Sequence, residues 1–133
     1  MSDFYVIDNP KLQPQDIDSK TIKRSIWLDD SVCKGAPYFE MIWIVNDITV
    51  GPGLHHHDFD EFLGFMSGDI DNPMDLGCDI QFHVAGEVLE INKTCLIFIP
   101  AGVEHGILSA LNLTTPVLNY SGGPNVVYKS LQE

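Results

Sequence analysis

Apolar residues in this chain come in short bursts, and where a burst is long enough to show a period, the period is two. Cys78-Asp79-Ile80-Gln81-Phe82-His83-Val84 carries an apolar side chain at every second position, the pattern of a strand with one face buried. Eight further segments, 21–28, 38–45, 54–57, 61–66, 88–91, 95–99, 106–111 and 117–120, are short and rich in Ile, Val, Phe and Trp, residues that suit a pleated surface. Turn formers punctuate the series at Gly51-Pro52-Gly53, Gly86-Glu87, Asn92-Lys93 and Ala101-Gly102. No segment past residue 35 shows a 3.6-residue period. Many short strands with Gly/Pro turns predict an all-β, antiparallel sandwich or barrel.

Two stretches break this rhythm. Residues 1–20, with Pro10, Pro14 and several Asp, read as an extended N-terminal arm, which leaves one barrel domain over 21–133. Residues 67–77 are too long for a tight hairpin turn and carry three Asp. Their Asp-x-Asp-Asn spacing lacks the closing bidentate Glu of a calcium loop, so they read as an acidic surface loop or a lid. Along 38–45, Phe39, Met41, Trp43 and Val45 share one face; Leu63 and Phe65 extend the face of Glu61. These six are ordinary core residues or, if some line a pocket, favour a small apolar or aromatic ligand. Trp43, Phe65 and Met41 are the substrate-binding candidates.

Composition narrows the classes. A chain of 133 residues with 44% apolar content is long enough to bury its own core. No apolar run approaches the ~20 residues of a membrane span. The first residues lack the basic-then-apolar pattern of a signal peptide, so a cytoplasmic location is expected, and the Asn92-Lys93-Thr94 and Asn112-Leu113-Thr114 sequons carry no meaning there. Cys33, Cys78 and Cys95 are odd in number and widely spaced, which suits reduced, buried thiols rather than a disulfide framework. The net charge of −12 repels nucleic acid and anionic lipid, so neither is an expected partner. No Lys or Arg lies between Gly35 and Asn92 or between Thr94 and Tyr128. The central strands thus offer no Arg fork for a phosphate.

The chemistry sits in Gly53-Leu54-His55-His56-His57-Asp58-Phe59-Asp60-Glu61. In an extended segment, His55 and His57 point to one side and His56 to the other. Glu61 keeps that parity if the strand continues, or returns to that side if the chain turns through 58–60. Two imidazoles and a carboxylate on one face suit a borderline divalent metal; a triplet of histidines alone is equally a solvated surface run. A third imidazole, His105, follows the turn Pro100-Ala101-Gly102-Val103-Glu104.

Together, His55-x-His57-x3-Glu61-x6-Gly68 and Pro100-x-Gly102-x2-His105 resemble the two signature motifs of the cupin superfamily, over roughly residues 38–120. The resemblance implies a double-stranded β-helix (jelly-roll) barrel holding one divalent transition metal ion, Fe, Mn, Ni, Co or Zn. By match to the motif, His55, His57, Glu61 and His105 take the ligand positions. Asn92-Lys93-Thr94-Cys95 stands where the pattern has a Gly turn, Ser109 stands for its Asn, and the acidic insertion after Gly68 lengthens a connection that is otherwise tight.

A metal-dependent enzyme acting on a small neutral or metal-chelating substrate, by oxygenase, isomerase or lyase chemistry, is the leading expectation. The alternative is a non-catalytic module that binds or senses a small ligand, since one fold serves both roles. Glu61 and His83 are the candidate acid–base residues, with a partly buried structural role the alternative for His83; Asp58 and Asp60 are the nearest carboxylates to orient the imidazoles, or else solvated surface charges. The expected partners are a small-molecule ligand and a second copy of the chain.

Overall fold

The computed structural model describes residues 4–8, 20–50 and 53–124. Most of the expected arm, Gly51-Pro52 and the last nine residues lie outside that set. Nine strands form: β1 Ile22–Leu28, β2 Tyr38–Ile44, β3 Ile48–Val50, β4 Glu61–Ser67, β5 Asp75–Val84, β6 Glu87–Lys93, β7 Cys95–Ile99, β8 His105–Leu111 and β9 Val117–Gly123. They make two sheets, ordered β1-β2-β9-β4-β7 and β3-β8-β5-β6, with every pairing antiparallel. The expected all-β class holds.

The core is the space between the sheets. Ile44, Phe65, Ile99 and Val117 fill it from the five-stranded sheet, and Leu76, Ile80, Phe82 and Ala110 from the other. Phe65 and Phe82 meet edge to face at 6.5 Å, the geometry that the ring quadrupoles favour. Alternation in β5 is as the sequence predicts: Leu76, Cys78, Ile80 and Phe82 are buried, while Asp79 and Gln81 are exposed. Burial pushes the Cys78 thiol up to about 11, with Asp79 adding to it, so this cysteine is a packing residue.

Three expectations change. Residues 54–57 do not form a strand; they meet β8 through a single bridge, His55 to His105. A short strand, β3, appears where none was expected. The loop after β4 is shorter than 67–77, because Asp75 to Gly77 already belong to β5. Thr94 explains how the connection after β6 closes without a glycine turn. Its hydroxyl donates to Pro73 O at 2.6 Å and accepts from Ser67 N at 3.1 Å, and its amide donates to Met74 O. Gly68 is required there by close approach, since its amide donates to Pro116 O and an added Cβ would collide with that oxygen.

Candidate metal centre

The two motif segments are joined along their backbones before any side chain is considered. His55 N donates to His105 O at 2.9 Å and His105 N to His55 O at 2.8 Å; Gly102 N donates to His57 O at 2.8 Å. Asp60 Oδ1 adds a fourth tie by accepting from Ala101 N at 2.9 Å. Asp60 therefore anchors the Pro-Gly turn rather than an imidazole.

A bulge then settles what β8 presents inward. Strict alternation from His105 would put Ile107 and Ser109 on the inner face and expel Leu108 and Ala110. Instead, the register with β5 slips between Gln81 and His83, and Gly106 and Ile107 take φ values of 145° and 50°. The extra residue resets the parity, so His105 and the core residues Leu108 and Ala110 are all buried while Ile107 is exposed. A β-branched residue at positive φ is a strained choice, and here it stands two positions after a candidate ligand.

His55, His57 and His105 are buried, and one ring nitrogen of each lies within 4.8 Å of the others. His56 is half-buried and outside the group, as the period of two predicts. Ring nitrogens are steered by carbonyls: His55 Nδ1 donates to Gly53 O at 2.8 Å and His105 Nδ1 to Val103 O at 3.0 Å. Protonation at Nδ1 leaves Nε2 of both rings with a lone pair, the tautomer that ligates. Phe59 stacks on His57, 4.8 Å between centroids and 15° from parallel.

Glu61, 3% exposed, lies beside two of these imidazoles from the five-stranded sheet. Its Oε1 lies 3.2 Å from His105 Nε2 and 3.4 Å from His57 Nε2. That oxygen makes no hydrogen bond of normal geometry among the described residues. Burial would raise the Glu61 carboxyl, but the two imidazoles, His105 first, outweigh it and hold the group down at about 2. His55 is pushed below its ordinary value, chiefly by burial. A carboxylate oxygen facing a lone pair at 3.2 Å is repulsive unless a proton or a cation lies between them. The donor set therefore fits a divalent metal ion.

The other sequence candidates fall elsewhere. Phe65 is fully buried core. Trp43 and Met41 pair with Leu118 and Tyr120 of β9, and by alternation they occupy the outward face of the five-stranded sheet, opposite to Glu61. His83 alternates with buried Phe82 in β5 and likewise points away from the interior. Asp58 is exposed. None of these five meets the imidazoles.

The interior holds residues the sequence did not single out. Arg24 on β1 lies on the inward face: Nε donates to Glu40 Oε2 at 2.9 Å, and the guanidinium sits 4.8 Å from the Trp27 ring. The absence of Lys and Arg along the central strands is a statement about chain position, and pairing of β1 with β2 brings an N-terminal Arg beside them. Burial raises the Glu40 carboxyl against the pull of Arg24. Trp27, Tyr38 and Phe59 form a second apolar cluster, with the Tyr38 hydroxyl 2.6 Å from Ser121 Oγ. Phe59 was visible only as a lone apolar residue between two Asp.

No protein-family model matches the sequence, and no curated protein matches it. Solved structures do. An oxalate oxidase superimposes with a TM-score of 0.59 over 96% of this chain and 62% of its own, at 11% identity. A polyketide cyclase from Streptomyces resistomycificus gives 0.55 over 85% and 71%, at 14% identity. An RmlC-like cupin from Shewanella frigidimarina gives 0.54 over 93% and 92%, also at 14% identity. The chain spans 44% of the length of a DMSP lyase chain that it also matches. At such identities the likeness establishes the architecture alone: this chain has the cupin fold. No helix among the described residues is long and apolar enough to cross a membrane.

Proposed function

We propose that His55, His57, His105 and Glu61 hold one divalent transition metal ion, and that the protein is a metal-dependent cupin enzyme acting on a small neutral or metal-chelating molecule. The observation that carries this reading is the buried Glu61 Oε1 set against the Nε2 atoms of His57 and His105. When bound, such an ion supplies Lewis acidity and, as Fe(II), a site for dioxygen chemistry.

The protein's own groups support the rest. Hydrogen bonds from Nδ1 to Gly53 O and Val103 O fix two rings, and the Phe59 stack holds the third. The apolar cluster of Trp27, Tyr38 and Phe59 adjoins His57 through that stack, which favours a substrate with an aromatic or apolar body. Arg24, the cation that the register places on the interior face among the described residues, is engaged by Glu40. Phosphorylated substrates therefore lack a ready partner here, whereas an enol, diketone or hydroxy-ketone can use the metal itself.

The test is oxygen uptake and isomer formation by protein reconstituted in turn with Fe(II), Mn(II), Ni(II), Co(II) and Zn(II), across diketones, hydroxy-ketones and phenols. Turnover by one metal form, absent in His57→Ala, is expected. A bound ion whose spectrum no candidate perturbs, and which exchanges no water, would remove the enzyme reading in favour of a binding module.

A further inference from the structure

The inward face of the five-stranded sheet carries charge that a packed core does not call for. Residues such as Ile44, Leu63, Phe65, Ile99 and Val117 fill most of its positions, yet three inward positions on these strands hold Glu61, Glu40 and Arg24. The registers set the three in order. Glu61 and Leu63 are successive inward residues of β4; Leu63 is opposite Ser121 on β9, Ser121 opposite Glu40 on β2, and Glu40 opposite Trp27 on β1. Arg24, opposite Ile42, lies one inward position further along. Glu40 is thus two strands across from Glu61 and one inward step away. At roughly 4.8 Å per strand and 3.4 Å per residue, their Cα atoms stand about 12 Å apart. Two glutamate side chains reaching inward from that spacing leave a gap that a small molecule can span. Burial raises the Glu40 carboxyl, Arg24 opposes the rise and Glu61 adds to it, so the two carboxylates are within electrostatic reach.

An aromatic arc joins this ion pair to the metal centre. The Arg24 guanidinium sits 4.8 Å from the Trp27 ring. Trp27 and Tyr38 are 5.7 Å apart and Tyr38 and Phe59 6.0 Å, centroid to centroid, and Phe59 stacks on His57. The Tyr38 hydroxyl meets Ser121, the residue opposite Glu40. A small ligand beside His57 has this arc as its wall and the ion pair at the far end.

The pair is built one-sidedly. Arg24 Nε and Nη2 both reach Glu40 Oε2, at 2.9 and 2.6 Å, instead of the fork onto two oxygens that makes such a pair strongest. The Arg24 and Glu40 side chains are 13% and 19% exposed, against 3% for Glu61, so solvent reaches both. An interior ion pair adds little to stability, since well-packed apolar residues of the same volume serve as well. What the pair changes is charge. With neutral imidazoles, a divalent ion and the Glu61 carboxylate leave one positive charge, and Glu40 cancels the second that Arg24 brings.

We propose that Glu40 sets the charge of the ligand that the metal centre accepts: by occupying the Arg24 guanidinium it admits uncharged chelators, diketones and aromatic diols, over their carboxylate-bearing counterparts. This rests on the metal centre proposed above and narrows its substrate class. A carboxylate arriving at the far end of the arc meets a guanidinium already neutralised, and gives up its water without gaining an ion pair. An uncharged ring gives up less and packs on Trp27, Tyr38 and Phe59. Once the Glu40 charge is removed, Arg24 becomes a receptor for that carboxylate.

Anaerobic titration of the Co(II)-loaded full chain tests it, with catechol and with protocatechuate, the same diol bearing a carboxylate on the far side of the ring. The visible spectrum of Co(II) reads the dissociation constant of each probe. The wild type should favour catechol. In Glu40→Gln, at unchanged metal content, the preference should move about tenfold or more toward protocatechuate, and the double variant Arg24→Gln/Glu40→Gln should return it to the wild-type value. Arg24→Gln alone should move it the other way, because the Glu40 carboxylate then faces the probe. That variant carries the test if far-UV circular dichroism shows Glu40→Gln unfolded. A preference unchanged in the folded single variants, a shift that persists in the double variant, or a Co(II) spectrum that neither probe perturbs overturns the proposal while leaving the metal centre standing. A wild type that takes up no Co(II) removes the metal centre and this inference together.

Discussion

Gly106→Ala joins the backbone of β8 to the metal centre in one substitution. Gly106 has φ 145°, and a Cβ there would lie 2.5 Å from Gly53 O and 3.0 Å from Gly53 C. A carbon and a carbonyl oxygen in contact need about 3.3 Å, so the segment carrying Gly53 must retreat by roughly 0.8 Å. That carbonyl is the acceptor for His55 Nδ1. Holding Ala in a region glycine prefers costs about 1–3 kcal/mol, and losing the His55 hydrogen bond about 0.5–1.5 kcal/mol. The sum, about 1.5–4.5 kcal/mol, lowers the melting temperature of a domain this size by roughly 10 °C. Removing the group that orients a ligand should also weaken metal affinity about 10–100-fold. Gly86→Ala separates the two effects: Gly86 has φ 81° with nothing within 4 Å of an added Cβ, so it carries backbone strain without a clash. Thermal melts of chelated protein and metal titrations of all three proteins are the assays. Gly86→Ala should lose stability and bind metal normally, while Gly106→Ala loses both. A Gly106→Ala protein with wild-type melting temperature or wild-type metal affinity refutes the reasoning.

Other expectations follow from burial and charge. Phe65, 0% exposed and packed on Phe82, should cost about 3–5 kcal/mol on replacement by Ala, read as a lower urea midpoint; a change under 1 kcal/mol would mean that the two sheets do not meet there. In chelated protein His55 is held below 6.5. Its unfolded form then binds a proton first, and the stability His55 contributes above 6.5 is lost as pH falls below it. Glu61, lowered from 4.5 to about 2, adds a second loss between those values. The wild type should therefore lose more stability on acidification from pH 7.5 to 5 than His55→Ala does; parallel denaturation curves at both pH values would contradict the assignment. Metal-loaded protein should release its ion over the same acid range, because protonated imidazole cannot ligate.

Much of this architecture is legible because a strand's period is two. The alternation in 78–84 marks β5, and the parity of His55 and His57 against His56 survives although 54–57 forms only a bridge. Parity fails where a residue is inserted. The Gly106–Ile107 bulge leaves no trace in composition, so its role in bringing His105 and Leu108 to one face emerges only from the pairing with β5. The sequence groups Phe39, Met41 and Trp43 on one face but not on which side of the sheet; the register with β9 turns them away from Glu61. Arg24 belongs to an N-terminal segment in the sequence and to the interior in the fold, a change made by long-range pairing alone. Carbonyls of Gly53 and Val103, which any residue could supply, orient two of the rings, a role that side-chain identity in the sequence cannot mark.

The central claim is that three imidazoles and one carboxylate, drawn from two distant segments, hold one ion. Elemental analysis of the wild type, His57→Ala, His105→Ala and His56→Ala, each purified without added metal and then equilibrated with one divalent metal, addresses it directly. The account predicts close to one ion per chain in the wild type and in His56→Ala, and loss of most of it in the other two. Equal metal content in all four proteins would contradict it.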